Sequence, residues 1–108
     1  MEINEILNTE YSKGFDELRQ KMMAMSFYKY GPVSENYKKE KTIDAIGSLQ
    51  KRLQKYIDTG NTEFLADVAN FAMIEYMYPQ HSKAHYKPTD SGACSIDGFG
   101  VNEVKNWK

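Results

Sequence analysis

An all-α fold is predicted by three features of this 108-residue chain. Apolar residues recur at three- and four-residue spacing from residue 15 to residue 77. Each run is bounded by capping and helix-stopping residues. No stretch alternates apolar and polar residues as a half-buried strand does. The expected architecture is a single domain, residues 1–108, of three main antiparallel helices. Residues 80–108 follow as a polar loop and an ordered C-terminal arm.

The first helix is read from Phe15, Leu18, Met22 and Met25, with Ser12 or Thr9 as N-cap and Gly31-Pro32 as its stop. The second is read from Ile43, Ile46, Leu49, Leu53 and Tyr56 or Ile57. Ser34 caps it in this reading, and Gly60 in "DTGN" closes it. The third is capped by Asn61 or Thr62 and stopped by Pro79. Short links between long helices make neighbours antiparallel. The third helix, "EFLADVANFAMIEYM", is the most apolar and is expected to be central. An apolar central helix on a short chain predicts a homo-oligomer, with the arm packed into the assembly. A short terminal helix is expected in "VNEVKNWK".

Composition narrows the function classes. A hydrophobic content of 41% with 13% aromatics is that of a globular chain and not a disordered one. The net charge of −1 argues against nonspecific nucleic-acid binding by the whole surface, and no specific nucleic-acid partner is expected. The basic run Lys38, Lys39, Lys41, Lys51, Arg52 and Lys55 is interleaved with Glu35, Glu40 and Asp44 and reads as a solvated helix face. Cys94 is the one cysteine, so a disulfide framework and a cysteine-rich zinc site are both excluded. It reads as an incidental thiol. No run approaches the ~20 apolar residues of a membrane span. The expected location is a reducing cytoplasm.

Two polar residues, Asp67 and Asn70, interrupt the third helix. With Glu63 they fall within about 60° of arc on one face. Two carboxylates on a face can share a hard cation such as Mg²⁺. The structural alternative is a hydrogen-bonded pair that positions neighbouring helices, and it is the one favoured here.

The loop "YPQHSKAHYKPTDS" gathers His81, Lys83, His85, Tyr86, Lys87, Thr89 and Ser91. Lysine and protonated histidine attract phosphate, hydroxyls bond its oxygens, and tyrosine can stack on a base. A zinc site at His81 and His85 lacks a third ligand. "YGPVSENYK" adds Tyr30, Asn36 and Tyr37 around a Gly-Pro corner, as packing or as a second wall of the same pocket.

"EFLADVANFAMIEYM" resembles the acidic third helix of the MazG-like, all-α nucleotide pyrophosphatases. It also resembles the Asp-x-x-Asn-Tyr-Ala helix of small phage-encoded proteins linked to nucleotide metabolism, with Phe71 in place of the tyrosine. The wider run from residue 29 to residue 91 is similar to uncharacterised phage proteins. The MazG-like resemblance implies Mg²⁺ held by Glu63, Asp67 and Asp44, and hydrolysis of nucleoside triphosphates. The family carries Glu-Glu-x-x-Glu on the preceding helix, however, and this chain has "AIGSLQKR" after Asp44. Phe64 stands where Glu-x-x-Asp needs its glutamate.

The expectation is therefore a nucleotide-binding protein that sequesters its ligand without turnover and needs no cofactor. It would resemble the sponge proteins with which phages blunt host defence, acting in the infected cell's cytoplasm. Its ligand residues would be His81, His85, Tyr86, Lys87, Thr89, Ser91, Tyr30 and Asn36. The alternatives are a Mg²⁺-dependent pyrophosphatase and a protein-interaction module.

Overall fold

The structure, a computed structural model, describes residues 1–37 and 43–89. These residues are helical, with no strand among them. No helix among them is long and apolar enough to cross a membrane. Ser91, Cys94, Lys38, Lys39, Lys41 and the expected terminal helix lie outside the described residues.

Five helices follow in order: α1 (Ile3–Glu10), α2 (Lys13–Tyr30), α3 (Val33–Asn36), α4 (Ala45–Thr59) and α5 (Glu63–Met77). Helix α1 was not expected, although Ile3, Ile6 and Leu7 carry a helical spacing. Helix α2 starts where Ser12 predicts: the Ser12 hydroxyl accepts the Phe15 N–H at 3.0 Å. It stops at Gly31, whose φ of 82° takes the chain out of the helix.

The second expected helix is interrupted. Ser34 lies inside the one-turn α3, and Tyr37 ends that turn. The long helix begins only at Ala45, after Ile43, and its cap is Asp44. The Asp44 carboxylate accepts the Gly47 N–H at 3.0 Å. A Cβ on residue 47 would stand 2.6 Å from the second Asp44 oxygen, so glycine lets the carboxylate close over the first turn. Gly60 ends α4 in the left-handed conformation, as expected. Asn61 Oδ1 then accepts the Glu63 N–H and opens α5.

Helix α5 is central. It packs along α4 and, over a shorter stretch, against α2. Its buried residues Ala66, Asn70 and Ile74 are four apart and form one stripe, joined by Ala45 of α4. The expected inward stripe of α2 is corrected: Phe15, Leu18 and Met25 are exposed. Of that stripe only Met22 is half-buried, together with Arg19, Met23 and Ser26. The cause is Asn70. Its amide donates to the Arg19 carbonyl at 3.2 Å, and its oxygen accepts from Arg19 Nη1 at 3.4 Å. These bonds bring the Arg19 side of α2 against α5.

Candidate functional site

A corner cavity of 380 Å³ forms where the end of α2, the α3 turn and α4 meet. That size falls in the range of small-molecule sites, roughly 300–1,000 Å³. Ser26 and Tyr30 of α2, Asn36 and Tyr37 at α3, and Arg52 of α4 supply its polar wall. The Gly31-Pro32 turn folds α3 back beside the end of α2. Asn36 Nδ2 fixes the fold-back by donating to the Tyr30 carbonyl at 2.9 Å. Burial pushes the Tyr37 phenol above its ordinary value of 10.0, so its hydroxyl stays protonated and able to donate.

Arg52 gives this cavity its charge. Its Nε stands 3.7 Å from Asp67 Oδ2, and its guanidinium lies 5.9 Å from the centre of the Phe64 ring. Its Nη groups make no hydrogen bond to the described residues. A planar fork held at one nitrogen and open at the other two is suited to an anionic oxygen. Sequence reasoning placed Arg52 on a solvated face. It stands instead on the α5-facing side of α4, in helical register with Ala45, Leu49 and Tyr56. That register was available in the sequence as a charge on an otherwise apolar stripe.

The loop residues are distributed differently from the expectation. His85 and Tyr86 line a second cavity, against the C-terminal half of α5. Tyr30 and Asn36 are therefore not a second wall of the pocket that His85 and Tyr86 line. His81, Lys83, Lys87 and Thr89 are exposed. The histidines hold the loop's own turns: His81 Nδ1 accepts the Lys83 N–H at 2.9 Å, and His85 Nδ1 donates to the Lys83 carbonyl at 2.8 Å. The unanticipated residue here is Gln80. Its side chain donates to the Ile43 carbonyl at 2.9 Å and the Tyr37 carbonyl at 3.4 Å, joining the loop to the corner.

The acids of the hydrolytic alternative stand in separate roles. Asp44 caps α4, Asp67 faces Arg52, and Glu63 is exposed in the first turn of α5. Among the described residues, no three His, Cys, Asp or Glu side chains come together to hold a metal ion. Desolvation raises the Asp67 pKa above 3.8; Arg52 opposes that rise and Glu63 adds to it. A carboxylate held by strong cationic partners would shift the other way.

Comparison with protein-family models, with curated proteins and with solved structures gives no match to this chain.

Proposed function

We propose that this protein binds a nucleotide or nucleotide-derived phosphorylated ligand in the corner cavity and does not turn it over. The observation that carries this reading is the half-buried Arg52 guanidinium on a wall shared with Tyr30 and Tyr37. Tyrosine rings offer contact to a base, and the open guanidinium nitrogens offer charge-assisted bonds to a phosphate. The role that goes with this chemistry is sequestration of a nucleotide signal in an infected bacterium, the setting that the phage-protein resemblance of residues 29–91 implies.

Calorimetry against cyclic di- and trinucleotides, mononucleotides and ADP-ribose derivatives tests it. Arg52→Ala removes a charged hydrogen-bond donor, worth about 1.5–3 kcal/mol, so the best binder should weaken roughly ten- to a hundredfold. Binding by no member of the panel, or equal binding by Arg52→Ala, would discard the reading in favour of an interaction module. Steady pyrophosphate release with Mg²⁺, lost in Asp67→Asn, would establish the hydrolytic alternative.

The same reading includes a homo-oligomer of antiparallel helices. Phe15, Leu18, Met22 and Met25 keep the three-four-three spacing of a coiled-coil seam, and Phe15, Leu18 and Met25 are exposed. Ile3, Ile6 and Leu7 of α1 are exposed as well. Light scattering should give a mass of at least two chains, and Leu18→Glu should reduce it to one. A parent protein that runs as a monomer at micromolar concentration would remove this part of the reading.

A further inference from the structure

The cavity under the loop differs from the corner cavity in the sign of its charge. It is larger, at 550 Å³, and opens between the C-terminal half of α5 and residues 79–86. Its wall includes Glu75, Tyr76, Pro79, His85 and Tyr86, and Glu75 is the acidic member. Lys83 and Lys87 belong to the same segment but are exposed and do not line it. A phosphate would find no arginine or lysine in that wall, and the charge of Glu75 would repel it.

The aromatic and acidic residues of the wall favour the opposite kind of ligand. Tyr76 and Tyr86 are 76% and 78% exposed, so protein atoms cover little of either ring. An aromatic face attracts a cation through its quadrupole, and both of these rings line the one cavity. Glu75 adds a negative charge behind them. Its Oε2 accepts the Gln80 N–H at 3.0 Å. Its Oε1 is buried without a hydrogen-bond partner among the described residues. No cationic side chain neutralises that carboxylate among them, so its field reaches the cavity and draws a cation without direct contact. His85 gives its Nδ1 proton to the Lys83 carbonyl. In the neutral ring this leaves the Nε2 lone pair as an acceptor.

We infer that this second cavity is a binding site for an organic ammonium cation, held by the rings of Tyr76 and Tyr86 and by the charge of Glu75. The residues that line it are distinct from those of the corner cavity. The two cavities sort ligands by charge: an arginine faces one and a glutamate the other.

Choline and 3,3-dimethyl-1-butanol share a shape and differ in the charged nitrogen, so the pair isolates the cation. Titration of the full chain, followed by calorimetry and by tyrosine fluorescence, should show saturable binding of choline. The neutral analogue should bind roughly tenfold more weakly or worse. Glu75→Gln and Tyr86→Leu should each weaken choline by about the same factor. Tyr86 is too exposed for its loss to disturb the core, so Tyr86→Leu keeps the test readable if Glu75→Gln loosens the loop. Arg52→Ala should leave choline affinity unchanged while weakening a phosphorylated ligand. Equal binding of the neutral analogue, or no saturable choline binding in the millimolar range, would overturn the inference.

Discussion

Ile74→Ala should lower stability by about 2–5 kcal/mol, the range for deleting most of a buried isoleucine side chain. Ile74 is 4% exposed and is the largest of the buried residues, beside Ala45, Ala66 and Asn70. Alanines cannot move in to fill the space it leaves, so the cavity term adds to the lost transfer energy. Domains of this length have only about 5–15 kcal/mol in total. The melting temperature should therefore fall by about 10 °C or more. Ile57→Ala is the control: that side chain is 64% exposed, and its loss should change stability by no more than about 0.5 kcal/mol. Thermal melts of the two variants decide the matter. Equal, small shifts would mean that α5 is not the centre of the fold.

The helical class was legible because it rests on local signals. Ser12, Gly31, Gly60 and the Asn61-Thr62 pair mark helix ends through their own backbone and side-chain chemistry, whatever surrounds them. What the sequence concealed depended on contacts between distant residues. The break between α3 and α4 was missed because Ser34 offers a plausible cap ahead of the apolar stripe that starts at Ile43. Its signal was Asp44 followed three residues later by Gly47, a cap that the periodicity reading passed over.

The α2 stripe misled for a related reason. Heptad spacing identifies an apolar seam but not what covers it, and here the side of α2 bearing Arg19 meets α5. The candidate site was half legible. Tyr30 and Asn36 flank a visible Gly-Pro corner. Arg52 reaches that corner only through the packing of α4 on α5. Two histidines and two lysines lie close together in sequence, but in the fold turns engage Nδ1 of each histidine locally and both lysines are exposed, so sequence proximity did not show which of them share a cavity.

Asn70→Ala and Asp67→Asn should separate two polar residues that look alike in the sequence. Asn70 is buried and engages Arg19 through both halves of its amide, so truncation should cost about 1–3 kcal/mol. Asp67 is only half-buried, and its single ion pair with Arg52 is long at 3.7 Å. Desolvation raises its pKa above the 3.8 of an unfolded aspartate. The folded state therefore holds the proton more tightly than the unfolded state does. At neutral pH the charged form penalises the fold, and the penalty is relieved as pH falls through the raised pKa toward 3.8.

Asp16 contributes in the opposite direction. Hydrogen bonds from Tyr11 and Arg19 hold its pKa below 3.8, so its contribution is present above that value and fades as pH falls through the lowered one. Replacing Asp67 with its neutral isostere removes the penalty and the pH dependence together. Asp67→Asn should match or slightly exceed the parent at pH 7, and its advantage should vanish as the parent is acidified toward pH 3.8. Urea denaturation of both variants at neutral and mildly acidic pH measures each effect. A loss at pH 7 larger for Asp67→Asn than for Asn70→Ala would mean that the Arg52 pair, and not the Arg19 clamp, holds α5 in place.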